Sequence, residues 1–293
     1  MTPNPSLSGL GFYQVDVFTH EALAGNGLSV FLPDSPLPAR LMQRLAIEMR
    51  QFESIFLSPD GPGNRFEARI FTMEEELDFA GHPLLGAAGL LHHLHAAGQP
   101  SADWTLMLGT RAVAISTTGK EGTPGTYDAS MNQGIASFGP VLSHADSLPF
   151  LAALGLGPAQ LDVRFALQVV STGLPYLLVP MVGGLERVKI GHPAFEALLA
   201  TVGAKFAYVL DVSAREGRTW DNAGMVEDIA TGSAAGPAGA YLLRHGAAKA
   251  GEIITIKQGR FAGRPSRITV QANAAGEMLV SGGVVMLAHG RLL

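Results

Sequence analysis

Apolar and polar residues alternate from Phe12 to Phe18, with Tyr13, Val15 and Val17 on one side and Gln14 and Asp16 on the other. That two-residue period predicts a β-strand. A turn-like Ala24-Gly25-Asn26-Gly27 follows, then a second short strand over Leu28–Leu32. Leu41, Leu45, Ala46 and Met49 recur at helical spacing and predict a helix over Ala39–Arg50. Ser54–Leu57 and Phe66–Thr72 read as strands about the turn Pro59-Asp60-Gly61-Pro62-Gly63, and Glu74-Glu75-Glu76 as a charged turn. From Pro83 to Leu91 the chain is apolar on every side, the mark of a helix buried all round. Pro83 suits the first turn of that helix, where its missing N–H costs nothing. Strands resume over Trp104–Thr117, and the Gly-rich, polar Thr118–Thr126 reads as a connection between domains. Beyond it, Gln168–Ser171, Tyr176–Pro180 and Phe206–Val212 read as strands and Pro193–Thr201 as a helix.

The segment from Glu227 to Leu242 repeats a pattern already met: an acidic lead, a small-residue start, then an apolar helix. Laid over the first copy, Gly232 meets Gly81, Ser233 meets His82, Ala238 meets Ala87, and Tyr241 and Leu242 meet Leu90 and Leu91, an offset of 151 residues. That is close to half the chain, and it argues for two like-folded domains, each with a buried helix surrounded by strands. The competing explanation is that small-residue helices resemble one another by composition alone.

Composition narrows the chemistry. Only 15% of the 293 residues are charged, against roughly a quarter in an average soluble domain, and 36 are glycine. There is no cysteine, which excludes disulfides, thiolate metal sites and any thiol acting as nucleophile or base. A net charge of -5 with no Lys/Arg cluster gives no footprint for nucleic acid. No apolar run approaches the roughly 18 residues that cross a membrane, and the N-terminal segment lacks the basic start of a signal peptide. The expectation is a cytoplasmic protein with neither membrane nor nucleic acid as partner.

Both repeat copies open a helix with glycine, so backbone N–H groups and the positive end of the helix dipole coincide at Gly81 and at Gly232-Ser233, a setting that favours anions such as a carboxylate. No lysine follows Gly232-Ser233 as a phosphate loop requires, Gly232-Ser233-Ala234-Ala235-Gly236 lacks nucleophile-elbow spacing, and no dinucleotide fingerprint appears. Three side chains stand out for acid–base work: Glu53, a lone carboxylate in the apolar run Phe52–Phe56; His82, which opens the first helix; and Asp228, just before the second. Each has a plain alternative: a surface carboxylate for Glu53, a hydrogen-bonded core histidine for His82, a helix cap for Asp228. His92, His93 and His95 resemble a metal cluster, but only His92 and His95 share a helix face and no acid completes a site, so a solvated helix end is expected and no metal.

The segments Gln14-Val15-Asp16-Val17-Phe18, Ala24-Gly25-Asn26, Glu53-Ser54-Ile55-Phe56-Leu57, Ile70-Phe71-Thr72, Phe79-Ala80-Gly81-His82-Pro83-Leu84-Leu85-Gly86, Ser171-Thr172-Gly173-Leu174-Pro175, Glu227 to Gly236 and Gln258 to Ser266 resemble, in that order, the signatures of the PhzF-like family. The resemblance implies an α+β fold of the diaminopimelate epimerase type: two pseudo-symmetric domains, each a mixed sheet wrapped around a central helix, over residues 1–122, completed by a strand at 284–293, and residues 123–283. It implies cofactor-independent proton transfer on a small carboxylate-bearing substrate in a cleft between the domains, and a homodimer. By position Glu53 corresponds to the family's acid/base, His82 and Asp228 to its assisting residues, and Asn26, Gly81, Gly232 and Ser233 to its substrate contacts. Ile229 stands where the family commonly has proline, and Trp220-Asp221-Asn222-Ala223-Gly224 departs from its usual upstream segment. These changes border the expected cleft and leave the substrate open. The leading expectation is an isomerase or epimerase; the alternative is a non-catalytic binding or scaffold protein that kept the fold.

Overall fold

The computed structural model describes residues 7–293. Its contacts divide the chain into two compact units, one of Met1–Met131 with Ser281–Leu293 and the other of Asn132–Val280. Among the described residues no helix is long and apolar enough to cross a membrane.

Unit 1 holds β1 (Gly11–Val17), β2 (Asn26–Leu32), α1 (Ala39–Met49), β3 (Glu53–Pro59), β4 (Arg65–Phe71), the short β5 (Glu76–Leu77), α2 (Gly81–His95), β6 (Ser101–Leu108), β7 (Arg111–Gly119) and the first residues of β8 (Thr126–Ile135). β1 and β2 are antiparallel, β2 and β3 parallel across α1, β3 and β4 antiparallel, β4 and β6 parallel across α2, and β6 and β7 antiparallel. Unit 2 continues with β9 (Ser137–Val141), α3 (His144–Ala153), β10 (Gln168–Ser171), β11 (Pro175–Met181), α4 (Phe195–Ala200), β12 (Phe206–Asp211), β13 (Glu216–Arg218), α5 (Gly232–Arg244), β14 (Ile254–Gln258) and β15 (Ser266–Ala272). Its pairings run in the same sequence: β10–β11 antiparallel, β11–β12 parallel across α4, β12–β13 antiparallel, β13–β14 parallel across α5, β14–β15 antiparallel. The two units therefore share one topology, and both central helices begin at the glycines the repeat aligned, Gly81 and Gly232. The last strand, β16 (Glu277–Arg291), closes unit 1 by pairing antiparallel with β1.

Each unit is layered in the same way. In unit 1 the parallel register sets Leu28 beside Glu53, so Asn26, Leu28 and Val30 share a face with Glu53, Ile55 and Leu57. Across that face lies α2, on which every residue from Gly81 to His92 is buried. The opposite face of the sheet presents Phe31, Phe56 and Phe71 to Met42, Leu45 and Ala46 of α1. In unit 2, Leu177, Val179, Ala207 and Val209 pack outward on Phe150 and Leu151 of α3 and Phe195 and Leu199 of α4. The alternate residue Tyr208 is fully buried on the other face.

The Gly-rich Thr118–Thr126 segment, read as an interdomain connection, lies inside unit 1 as the turn between β7 and β8, where Gly119 pairs with Tyr127. The grouping into units changes instead between Met131 and Asn132 and between Val280 and Ser281. A polar, glycine-rich composition is shared by hairpin turns and linkers, so it does not tell them apart.

The central helices sit close to their sheets because glycine faces the strands. A Cβ built on Gly89 would stand 2.7 Å from Val284, and one on Gly239 would stand 2.6 Å from Val270. Gly89→Ala and Gly239→Ala should each destabilise the protein by about 1–3 kcal/mol through overpacking. Gly11→Ala, with nothing within 4 Å, should stay within about 0.5 kcal/mol of wild type. Urea unfolding of the three variants checks the order.

Candidate active site

The strand register that aligns Leu28 with Glu53 also brings Glu53 near the start of β2, where Asn26 sits on the same face. Opposite them, His82 is the second residue of α2, so its side chain leaves the first helical turn toward the strand ends. The three meet: Glu53 Oε2 lies 2.9 Å from His82 Nδ1, and Asn26 Nδ2 lies 3.5 Å from the same nitrogen. Glu53 is 7% exposed, His82 5% and Asn26 1%. Glu53 is thus neither a surface carboxylate nor an edge-strand residue. His82 Nδ1 faces an acceptor and a donor at once and can satisfy only one of them. The 2.9 Å approach to Glu53 is an ion-pair distance and not an aligned hydrogen bond, whereas an unprotonated Nδ1 accepts from Asn26.

A contorted loop delivers Asn26. Phe18 (φ 65°) and Leu23 (φ 67°) occupy the left-handed region, which costs side-chain-bearing residues of order 1–3 kcal/mol unless the surroundings hold them there. The surroundings do hold them. The amides of Phe18 and Thr19 both donate to the Gly283 carbonyl of β16, at 2.7 and 3.2 Å, and the Leu23 amide donates to Asp16 Oδ2 at 2.7 Å. Asp16 is only 1% exposed. Its carboxylate works on the backbone of the loop, a task its place in an alternating strand gave no hint of.

In unit 2 the residues before α5 form a second polar cluster. Asp228 is not the helix cap, a position that Thr231 holds; it accepts instead from the Ala230 amide at 3.3 Å and from the Thr231 hydroxyl. Gln258, at the end of β14, donates through Nε2 to the Asp228 carbonyl and to Thr231 Oγ1, both at 2.8 Å, and its Oε1 accepts from Tyr208 OH at 3.1 Å and from the Thr231 amide at 3.2 Å. Burial, with Asp228 nearby, holds the Tyr208 phenol well above its usual pKa, so it remains a donor. Ser233 Oγ sits 2.7 Å from Tyr176 OH. The loop Trp220 to Glu227 is pinned by Arg218, which is bidentate to Glu227 at 2.8 and 2.6 Å, donates to the Leu185 carbonyl, and lies over the rings of Trp220 and Phe261.

Gly81 and Gly232 are both buried first residues of their helices, and neither preceding residue, Ala80 or Thr231, gives its side chain to the first amides. That leaves the backbone donors of both starts oriented as an anion would need them. Two open grooves in unit 2, lined by residues such as Val141, Pro149 and Leu198 or by Arg215 and Gly246–Glu252, include none of the candidate residues.

Of the histidines at the end of α2, His95 is exposed and His93 half-buried, as a solvated helix end would have them, and His92 is the exception. His92 is fully buried, 2.8 Å from Thr117 Oγ1, which also accepts from the indole of Trp104. His93 meets Tyr127 OH, and His95 lies against the rings of Phe66 and Trp104. Among the described residues no group of His, Cys, Asp and Glu is arranged to hold a metal ion. Glu76 of the acidic turn pairs with Arg69. The roles of Tyr176 and Tyr208 carried no local signal in the sequence, since a tyrosine in a strand is ordinarily a packing residue. Asp16, Thr231 and Gln258 lie within recognisable motifs, but their bonds run to residues distant along the chain or to backbone amides.

The chain resembles known proteins over nearly its whole length. Residues 15–290 match the family described as phenazine biosynthesis-like protein. A trans-2,3-dihydro-3-hydroxyanthranilate isomerase of Pseudomonas aeruginosa is 36% identical over 291 residues, covering 94% of this chain and 97% of the relative. A solved structure from Pseudomonas aeruginosa, described as a predicted epimerase, is 48% identical with a TM-score of 0.90, covering 97% of this chain and 99% of that one. A hydroxyproline epimerase from Agrobacterium vitis shares the α+β fold with a TM-score of 0.62 at 13% identity, over 97% of this chain and 92% of that one.

The loop geometry makes a prediction of its own. Asp16→Ala should cost about 1–3 kcal/mol by removing the charged acceptor of the Leu23 amide. Hydrogen exchange at Leu23 should accelerate far more than exchange in β6 and β7. Equal acceleration in both regions would mean that Asp16 supports the whole unit and not the loop.

Proposed function

The chain belongs to the phenazine biosynthesis-like family and is an isomerase, and we propose that it moves a proton at a carbon close to a carboxylate of a small substrate, with Glu53 taking and returning the proton. The observation that carries this reading is the buried contact between Glu53 and His82 with Asn26 beside it. A carboxyl that must serve first as base and then as acid needs a neighbour that accommodates both of its states. His82 offers that: as an imidazolium it supports the ionised carboxylate, and with Nδ1 as an acceptor, shared with the Asn26 amide, it supports the protonated one. A proton can move between Glu53 and His82 without either group leaving its place.

In this proposal backbone amides at a helix start hold a substrate carboxylate, and Asp228 takes part in the reaction. The isomerase names of the relatives weigh against a scaffold that has lost turnover.

Two substrate classes remain in view, each with an observation behind it. The relatives named as trans-2,3-dihydro-3-hydroxyanthranilate isomerase favour a proton shift within a cyclic amino carboxylate. The 48% identical protein described as an epimerase favours inversion at a carbon next to a carboxylate. Incubation in deuterium oxide with trans-2,3-dihydro-3-hydroxyanthranilate and with a panel of α-amino and imino carboxylates separates them, since deuterium enters at the carbon the enzyme works on. Glu53→Gln should lower the exchange rate by about 10²–10⁴-fold on whichever class responds. Undiminished exchange in that variant would remove Glu53 from the mechanism.

A further inference from the structure

Hydrogen-bond directions around Asp228 are fixed by the chemistry of its neighbours. A tyrosine hydroxyl beside an amide oxygen can only donate, and a backbone amide can only donate; both Tyr208 OH and the Thr231 amide point at one end of the Gln258 side chain, which is therefore its oxygen. The other end faces the Asp228 carbonyl and Thr231 Oγ1 and is therefore its NH₂. A flipped amide would set donor against donor at Thr231 and acceptor against acceptor at Asp228, so only one orientation works. Since Thr231 Oγ1 already accepts from Gln258, its single proton is directed to Asp228 Oδ2.

We infer that Gln258, oriented by Tyr208, is a positioning residue that turns the Thr231 hydroxyl into an obligatory donor to Asp228 and so holds that carboxylate in its charged, accepting form. Three elements distant in sequence supply the relay: β12, the residue capping α5, and the end of β14. Tyr208 is fully buried, Gln258 1% exposed and Thr231 7%. Water therefore cannot substitute for any member without a rearrangement. The charged and titratable groups around the relay are already engaged: Glu216 of β13 with Arg260, Glu227 with Arg218, and Tyr176 of β11 with Ser233. They differ in none of the substitutions below. A purely structural role would require only that each group have a partner, in whichever direction; the inference requires the direction.

The test is a ¹³C NMR titration of the Asp228 carboxyl in the full chain, assigned by its loss in Asp228→Asn. Thr231→Ser keeps the hydroxyl and should titrate with the wild type. Thr231→Val keeps the shape but removes the donor, and should raise the midpoint by about one pH unit, a tenfold gain in proton affinity. Gln258→Glu should raise it too, because the new carboxylate competes for the Thr231 proton and adds a negative charge. This variant carries the test should Thr231→Val not fold. Midpoints of Thr231→Val or Gln258→Glu that coincide with the wild type would overturn the inference.

Its bearing on catalysis rests on the proposal that Asp228 takes part in the reaction, which a second reading separates. If Asp228 acts as a carboxylate there, the acidic limb of the deuterium-exchange rate moves to higher pH together with the midpoint in Thr231→Val. A midpoint that moves while the limb stays in place sustains the relay and removes Asp228 from the reaction.

Discussion

The unbroken burial of α2 from Gly81 to His92 constrains nearly everything else in unit 1. A helix with no polar side must be covered on all of its surface, and strands connected on either side of it can do that only by curving around it. Glycines at the contact let the strands come close enough to exclude water. Once the helix is enclosed, its first turn is the place where a polar side chain can sit at the margin of the core, and His82 is there. The carboxylate that meets it comes from a strand whose register is set by the same packing, because a one-residue slip of β3 would turn Glu53 to the α1 side and bring Ser54 and Phe56 round to face α2.

Unit 2 follows the same frame with different polar parts. Where unit 1 sets a histidine on the helix and a carboxylate on a strand, unit 2 sets a serine on the helix and a carboxylate in the segment leading to it. The strand that corresponds to β3 is β12, which carries Tyr208, and Gln258 at the end of β14 contacts the backbone and the cap and no charged side chain directly. One topology thus supports two unlike polar clusters. A fold that repeats its backbone is not obliged to repeat its chemistry, because the apolar layers alone determine the topology.

Much of this was legible in the sequence where local pattern and burial coincide. The repeat offset aligned Gly81 with Gly232, and both prove to be first residues of central helices. A lone glutamate in an apolar run pointed to Glu53, whose burial the structure shows. The failures have equally specific causes. β5 and β13 have two and three residues, too few to express a period. α3 runs unbroken through Pro149, a residue that in sequence argues against a helix. His92 stands at the end of an apolar pattern, where a solvated residue is expected, and sequence carries no sign that β7 folds over it and offers Thr117. Tyr208 and Asp16 act through partners that only the folded chain brings near.

The distribution of tryptophan has an optical consequence. The chain has two, and each unit holds one: Trp104 is buried in β6 with its indole bonded to Thr117, and Trp220 lies half-buried under the Arg218 guanidinium. Intrinsic fluorescence is therefore a separate reporter for each half. Replacing either tryptophan with phenylalanine isolates the signal of the other, so the melting of one unit can be followed without interference from its neighbour. A charge stacked on one indole and a neutral hydroxyl beside the other also give the two emissions different surroundings, by which the halves can be told apart in the intact protein.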